Sequence, residues 1–322
     1  MKRMILAAWA LLFVFCHAPQ AQTYPDRMIQ FVVPYPAGQT TDVIARVIAE
    51  DMKESLNAKI FVENKGGAGG IIGMNFVKSA APDGYTVLVT ASGPTAINPS
   101  LYKSLPYDVL KDFTPVGLIG IVPQFIIAKS SSPPNTLAEL IAYAKANPGK
   151  LNYGSGGIGL TNHLTMEMFK HAAGLDMVHV PFRGASQAMQ GLLGGDVELM
   201  VESGPVVIPQ MNQGSIKVYA TGSRNGSTAL PDIPTVEKAG QLPGFDAASW
   251  PVMLVPANTP PEIVEKLHKA LAKSLTKPKT KSHLETLGVD IKVLSPTQTQ
   301  AFIKEEIDRW GKVIRDARVP LN

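Results

Sequence analysis

Apolar runs and stretches with helical spacing alternate along almost the whole chain. The first apolar run, residues 31–33, has the pattern of a buried strand in a parallel sheet. From Asp42 onward the apolar residues return at the spacing of a helix. The last predicted helix begins at Ser295 with Pro296 and ends near Arg315. Alternating strands and helices predict an α/β fold in which mostly parallel sheets are flanked by helices.

The remaining predicted elements follow the same patterns, and one long connection interrupts them. Further strands are predicted at residues 59–62, 85–90, 114–120, 124–128, 151–153, 177–182, 197–201, 216–221 and 250–255. One helix is predicted to follow the glycine-rich residues 65–73 and to end near residue 81, and others are predicted at residues 137–147, 160–171, 185–193, 206–213 and 259–275. Residues 223–245 are rich in Gly, Pro and Asn and predict a long surface connection.

The loop between the first strand and the first helix has the composition of an anion-binding site. Pro34 and Pro36 end the strand, because proline cannot donate a backbone hydrogen bond. The small or polar residues that follow are Ala37, Gly38, Gln39, Thr40 and Thr41. Unpaired N–H groups at a helix start favour an anion, and Thr41 or Asp42 can cap the helix. An ordinary strand-to-helix turn is the alternative interpretation.

Four loops at the ends of predicted strands are rich in small and hydroxyl-bearing residues. They are residues 35–41, 92–95, 155–161 and 183–186. Ligands of open parallel sheets bind at the carboxyl ends of the strands, where all four loops are predicted to lie. The candidate ligand-binding residues in these loops, besides those above, are Tyr35, Ser92, Thr95, Ser155, Gly157, Ile158, Gly159, Thr161, Gly184 and Ala185. Such a lining suits a small acceptor-rich ligand and supplies no acid–base pair.

Three titratable side chains near these loops are further candidates for ligand contact. His163 is predicted at a helix start and could donate to a ligand, and Arg183 could pair with a ligand carboxylate. Glu202, at the end of the strand predicted at residues 197–201, would suit a ligand amine. His163, Glu167 and His171 are four residues apart on one helix face and could ligate zinc. A solvated helix face is the alternative, and no metal site is predicted.

Two motifs that would indicate cofactor binding or catalysis are incomplete. Residues 154–159 fit G-x-G-x-x-G, but the following predicted strand ends in Pro181-Phe182-Arg183, without an acidic residue for a ribose hydroxyl. We therefore interpret this loop as an anion cradle and predict no cofactor. The sequence has no G-x-S-x-G, and its single cysteine, Cys16, precedes the mature chain. No catalytic residue is predicted.

The N-terminus has the pattern of a secretory signal peptide. Lys2 and Arg3 precede an apolar run that ends at Phe15, and cleavage is predicted after Ala21. Lipidation at Cys16 is an alternative. The sequence has 30 basic and 26 acidic residues, so loss of Lys2 and Arg3 leaves a mature net charge near +2, too weak to indicate nucleic-acid binding. The predicted class is a soluble, exported, two-domain α/β protein.

Several short motifs together carry a resemblance to a known family. They are Tyr24-Pro25-Asp26-Arg27-Met28-Ile29, VVPYPAG with Thr41-Asp42, Val62-Glu63-Asn64, Gly67-Ala68-Gly69-Gly70, Ala81-Pro82-Asp83-Gly84-Tyr85-Thr86, Asn98-Pro99, Leu105-Pro106-Tyr107-Asp108, Asp112-Phe113, VHVPFRG at residues 178–184, Leu192-Leu193-Gly194-Gly195 and Arg309-Trp310-Gly311-Lys312-Val313. In this combination the chain resembles the Bug, or TctC-like, periplasmic solute-binding proteins of tripartite tricarboxylate transporter systems. The match covers essentially the whole mature chain.

The resemblance implies a two-domain periplasmic binding protein of the type II-like, Venus flytrap kind. Domain 1 would comprise residues 22–124 and 250–322, and domain 2 residues 125–249, with the chain crossing near Gln124 and Trp250. The family implies a small carboxylate held between the domains by the loops that match residues 35–42, 155–161 and 183–185. Many members have a second glycine at the position of Gln39, so this side chain could restrict the pocket or add a polar contact.

The resemblance also implies the partners. A monomer would hand its ligand to a membrane permease of the tripartite tricarboxylate type. A sensor role, in which the protein presents bound ligand to a signalling receptor, remains an alternative, and an exported enzyme on the same scaffold is a second one. The sequence does not identify the carboxylate or the permease.

Overall fold

Eleven strands and twelve α-helices make up the part of the chain that the computed structural model describes, which is residues 24–316 with residues 319 and 321. The predicted signal peptide, residues 1–21, and Cys16 lie outside the described residues. None of the helices within those ranges is both long and apolar enough to span a membrane. The α/β fold class predicted from the alternating pattern is confirmed.

The strands and helices have the following bounds. The strands are β1 (Ile29–Val33), β2 (Ile60–Asn64), β3 (Thr86–Thr90), β4 (Phe113–Lys129), β5 (Asn152–Ser155), β6 (Val178–Pro181), β7 (Leu199–Ser203), β8 (Ile216–Thr221), β9 (Ala248–Ser249), β10 (Val252–Pro256) and β11 (Asp290–Leu294). The helices are α1 (Thr40–Leu56), α2 (Ile71–Lys78), α3 (Asn98–Leu101), α4 (Val109–Asp112), α5 (Leu137–Ala146), α6 (Thr161–Ala173), α7 (Ala185–Gly194), α8 (Gly204–Asn212), α9 (Val236–Ala239), α10 (Pro261–Thr276), α11 (Pro278–Thr286) and α12 (Pro296–Asp316). A 3₁₀ turn (Ala68–Gly70) precedes α2, and a π-helical turn (Gly93–Ile97) precedes α3.

Strand β4 joins two groups of parallel strands into one sheet. Its first half pairs with β10 and β11, Val122 and Pro123 pair with β9, and residues 124–129 pair with β7 and β8. On one side β1 lies parallel to β2 and β3, and on the other β5 lies parallel to β6 and β7. Every antiparallel pair includes β4 or β10. Gln124 therefore lies where β4 changes partners, and the predicted domain boundaries remain a prediction.

Apolar side chains on both faces of this sheet form the core. Phe31 of β1 and Ile44 of α1 are fully buried in one cluster, which continues to the helix α10 through Leu267. A second cluster around Trp250 and Trp310 packs α12 against the other face. Burying such large side chains contributes about 1.5–3 kcal/mol each relative to exposure. The strand ends and the loops after them are thereby held in fixed positions.

Several predictions of local structure are wrong. Residues 114–120 and 124–128 form one strand, because β9 pairs across Pro123 and spans the expected break. Residues 92–95 are not a loop, since the π-helical turn begins there. Helix α1 begins at Thr40 with Gln39 as its N-cap residue, so the predicted cap at Thr41 or Asp42 is wrong. The sequence also missed the polar, mostly exposed α11, the half-exposed β11, and the short helices α3, α4 and α9.

Candidate ligand-binding site

A small polar cavity lies at the carboxyl ends of strands from both groups. We call it the inner chamber, and its lining is Tyr35, Gln39, Thr40, Thr41, Ala91, Gln124, Leu160, Thr161, Asn162, Ala185, Glu202, Ser203 and Ser249. Its volume of about 50 Å³ leaves room for roughly four water-sized positions. The lining comes from the loops after β1, β3, β5 and β6, from the end of β7, and from β4 and β9. A ligand there would contact both halves of the fold.

A second, larger cavity adjoins the inner chamber. This outer chamber has a volume of about 700 Å³ and shares Tyr35, Gln39 and Leu160 with the inner one. Two glycine-rich segments form much of its wall, residues 66–70 and 156–157, and Arg183 lies at its edge. Because glycine has no side chain, backbone groups are accessible along these two segments.

Four helices begin at the inner chamber without a capping side chain. They are α1, α6, α7 and α8, whose N-cap residues are Gln39, Leu160, Gly184 and Ser203. Elsewhere in the fold α4, α5 and α9 are capped by the side chains of Asp108, Thr136 and Thr235, whereas α2, α3, α10 and α11 also lack a capping side chain, so the four helices are distinguished by meeting at one cavity. An uncapped helix start presents free N–H groups and a partial charge of about +0.5. The inner chamber is therefore built to attract an anion.

Asp42 holds the first of these loops from behind. Its carboxylate accepts hydrogen bonds from the Gly38 N–H and from Asn64 Nδ2, both at 2.9 Å, and pairs with Arg46 at 3.0 Å. Burial opposes ionisation of Asp42, but Arg46, Gly38 and Asn64 outweigh it and hold the pKa below its usual value. Gly38 has a φ of +81°, a conformation that favours glycine. Asp42 thus fixes the loop and does not line the inner chamber.

Hydroxyl groups connect the two halves of the fold beside the inner chamber. Thr40 Oγ1 contacts Ser203 Oγ, which joins the loop after β1 to the end of β7. Ser92 Oγ lies 2.7 Å from Thr161 Oγ1 and 3.3 Å from Ser249 Oγ. Because hydroxyls both donate and accept, these groups can turn toward a ligand without a change of backbone.

Glu202 places a carboxylate in the inner chamber. The residue is 5% exposed, and its Oε1 accepts from Asn162 Nδ2 at 2.6 Å. Its Oε2 accepts from the Ser203 N–H at 3.2 Å. Burial raises the pKa of Glu202, although the hydrogen bonds from Ser203 and Asn162 oppose this shift.

Gln39 separates the inner chamber from the outer one. Its Nε2 is buried and has no hydrogen-bond partner within the described part of the protein. The amide packs against two glycines across the cleft: a Cβ atom would lie 3.3 Å from Nε2 at Gly184 and 3.4 Å at Gly156. Any larger residue at either position would crowd the amide. The free Nε2 is a donor that a ligand oxygen could satisfy.

A stack of rings supports the loop before α6. His163 Nδ1 accepts from the Gly159 N–H at 3.3 Å, and its ring stacks on His179 at 4.1 Å. His179 is half-buried, its Nε2 lies 2.7 Å from Ser155 Oγ, and the Tyr153 ring stacks with its centroid 4.8 Å from that of His179. Burial lowers the pKa of His163 to about 3 and that of His179 to about 4, so both rings are neutral at pH 7. The stack is a support for the loop that starts α6.

The three residues that could have ligated zinc, His163, Glu167 and His171, have other surroundings. Glu167 accepts from Tyr153 and pairs with Lys170, whereas His171 is exposed and His163 belongs to the ring stack. Among the described residues no group of three His, Cys, Asp or Glu side chains is placed to hold a metal ion.

The predicted site residues separate into three groups. Tyr35, Gln39, Thr40, Thr41, Thr161, Ala185 and Glu202 line the inner chamber. Tyr35 and Gln39 also line the outer chamber, with Gly157, Ile158 and Arg183. The others line neither chamber: Ala37, Gly38, Asp42, Ser92, Thr95, Ser155, Gly159, His163 and Gly184. Several of these support the lining, and Thr95, for example, donates to the Ala91 carbonyl at 2.7 Å.

Six residues of the inner chamber were not among the predicted ligand-binding residues. They are Ala91, Gln124, Leu160, Asn162, Ser203 and Ser249. Asn162 and Ser203 adjoin predicted site residues, and their polar side chains at a strand end or helix start were a usable signal. Gln124 and Ser249 lie at or next to the positions where the chain is predicted to cross between domains, which was the other available signal.

Comparison with known families gives one match over most of the chain. The family described as "Tripartite tricarboxylate transporter family receptor" (TctC) matches residues 44–319. The chain is also similar to the protein BugT of Bordetella pertussis, with 35% identity over 302 residues that cover 94% of this chain and 92% of the relative.

Solved structures give the same result. The periplasmic binding protein BugD has 38% identity and a TM-score of 0.87, covering 93% of this chain and 100% of its own. Rpa4515 of R. palustris with adipate has 33% identity and a TM-score of 0.89 over the same shares of both chains. MatC of Rhodopseudomonas palustris with bound malate has 32% identity and a TM-score of 0.84, covering 90% of this chain and 100% of its own.

Proposed function

The chain belongs to the tripartite tricarboxylate transporter receptor family, and on this basis we propose that it captures a small carboxylate in the inner chamber and delivers it to a membrane permease. The family comprises periplasmic solute-binding proteins, as BugD illustrates. The observation that carries the proposal is the convergence of four uncapped helix starts on one small cavity. Each contributes typically 0.3–1 kcal/mol toward an anion at its N-terminus, and more where the geometry is partly buried.

The proposed ligand class also agrees with the neighbouring structures. Adipate and malate, the ligands named for two of them, are both small dicarboxylates. In this chain the free Nε2 of Gln39 and the hydroxyls of Thr40 and Thr161 add donors to the backbone N–H groups. A carboxylate would accept from several of these donors at once, and charge-assisted hydrogen bonds are the strong ones.

The proposed role is binding without turnover. The inner chamber offers donors and one buried carboxylate, Glu202, and the hydroxyl beside it, Ser203 Oγ, makes only a long contact of 3.4 Å with Glu202 Oε2. We propose that the protein is exported by its predicted signal peptide and acts as a monomer in the periplasm. Its partner would be a permease of the tripartite tricarboxylate type.

Titration calorimetry of the mature protein tests the proposed ligand class. The panel pairs mono-, di- and tricarboxylates with their neutral amides. We expect one or more acids to bind with micromolar or lower Kd and their amides to be silent. At a free ligand concentration of about 100 times Kd, the free energy of unfolding should rise by about 2.7 kcal/mol. Equal binding of an acid and its amide would contradict anion capture by the helix starts.

Delivery to a permease is tested separately in cells. Deleting the gene should abolish uptake of the radiolabelled acid, and the wild-type gene should restore it. Normal uptake in the deletion strain would contradict the transport role while leaving the binding site untouched.

A further inference from the structure

Glu202 keeps an acceptor position open toward the inner chamber. A carboxylate offers about four acceptor positions, and three donors from the described residues reach this one. Asn162 Nδ2 lies 2.6 Å from Oε1, while the Ser203 N–H and Oγ lie 3.2 and 3.4 Å from Oε2. Oε1 therefore has one partner among the described residues, and Glu202 is part of the cavity lining.

No cation of the protein neutralises Glu202 within the described ranges. The other residues that line the inner chamber are uncharged. None of the ion pairs of the described residues includes Glu202. A buried carboxylate without a positive partner is costly, and a ligand that brings a cation removes that cost.

The inner chamber can still hold an anion beside Glu202. Four helix starts of about +0.5 each exceed one negative charge. The starts of α1 and α7 make no hydrogen bond to Glu202 among the described residues, although Thr40 of α1 contacts Ser203 beside it. A ligand that carries both charges would place its ammonium group on Glu202 and its carboxylate on these helix starts.

We propose that the ligand is a compact amino acid, whose ammonium group binds Glu202 while its carboxylate binds the helix starts. This inference rests on the proposed function, because it assumes that the inner chamber is the ligand site. The small cavity volume favours a short carbon chain.

Matched pairs of ligands test the inference on the wild-type protein. Propionate and alanine, succinate and aspartate, and glutarate and glutamate share a carbon skeleton and differ by one amino group. In calorimetry at pH 7 the amino member of at least one pair should bind about 10- to 100-fold more tightly than its partner, as a hydrogen bond to a charged group implies.

An isosteric variant assigns the preference to Glu202. Glu202→Gln removes the charge and should abolish the preference for the amino member. Glu198→Gln is the matched control: Glu198 lies just before β7, accepts from the Asn152 N–H at 2.7 Å, and lines neither chamber. This control should keep the wild-type preference. Circular dichroism checks that each variant is folded. If Glu202→Gln does not fold, the ligand pairs measured on the wild-type protein decide whether the ligand's amino group is recognised.

The outcomes separate this inference from the proposed function. If the amine-free acids bind as tightly as the amino acids or more tightly, the ammonium subsite is wrong and the carboxylate site stands. An undiminished amino preference in Glu202→Gln would also overturn the assignment. If no member of any pair binds, and the wider acid panel is silent as well, the proposed function itself fails.

Discussion

Replacing Gln39 by methionine should weaken ligand binding and stabilise the free protein. In the free protein Gln39 Nε2 is buried without a partner. Such a group costs about 1–3 kcal/mol, so removing its polarity should raise the free energy of unfolding by that order. Methionine has a similar length and keeps the partition between the two chambers filled.

The same substitution removes a donor that the ligand needs. A hydrogen bond between Nε2 and a carboxylate contributes about 1.5–3 kcal/mol, which corresponds to a rise in Kd of roughly 10- to 100-fold. Calorimetry measures Kd, and urea unfolding without ligand measures stability. The variant should therefore unfold less easily than the wild type while binding its ligand more weakly. An unspecific packing defect would weaken both properties.

Gln124→Met is the control for the Gln39 variant. Gln124 also lines the inner chamber, but its Nε2 donates to the Val122 carbonyl at 3.2 Å. Losing that hydrogen bond should destabilise the free protein by about 0.5–1.5 kcal/mol. The reasoning is refuted if Gln39→Met binds ligand like the wild type, or if it unfolds more easily than the wild type.

Three further predictions concern stability and its link to the site. Asp42→Ala should lower the free energy of unfolding in urea by about 1–3 kcal/mol and also raise Kd, because three donors lose their acceptor. An unchanged Kd would show that the loop keeps its conformation without Asp42. Glu306→Ala should cost about 1.5–3 kcal/mol, because the buried Glu306 accepts a hydrogen bond from Trp250 Nε1 at 2.7 Å; near-wild-type unfolding, followed by tryptophan fluorescence, would contradict this. His163 and His179 have pKa values lowered to about 3 and about 4 from 6.5, so the unfolded chain binds more protons and stability should fall as the pH drops from 6.5 toward 4. The slope is up to about 1.4 kcal/mol per pH unit for His163 and less for the more exposed His179, and a slope unchanged in His163→Asn would contradict it.

Local patterns predicted the elements around the site well. The run at residues 31–33 and the helical spacing after Asp42 gave β1 and α1 to within a few residues. Both signals are local, because the apolar run of a buried strand and the apolar spacing of a helix depend only on neighbouring residues. Local patterns also predicted the end of β3 and, to within one residue, the start of α6.

Contacts between distant segments could not be predicted in this way. The continuity of β4 through Pro123 depends on β9, more than a hundred residues later in the chain. The support that Asp42 gives to Gly38 depends on Asn64 in another strand. The hydrogen bond from Asn162 to Glu202 joins residues forty positions apart. Pairings of this kind arise from tertiary packing, for which a single sequence carries no local signal.

A structure of the protein crystallised with the carboxylate it binds most tightly tests the central claim directly. The claim is that the starts of α1, α6, α7 and α8 hold the acid in the inner chamber. It predicts carboxylate oxygens about 2.7–3.2 Å from backbone N–H groups in the first turns of at least two of these helices, with residues such as Thr41 and Asn162 as donors. A ligand that lies in the outer chamber, or whose carboxylate is turned to solvent, would contradict the account.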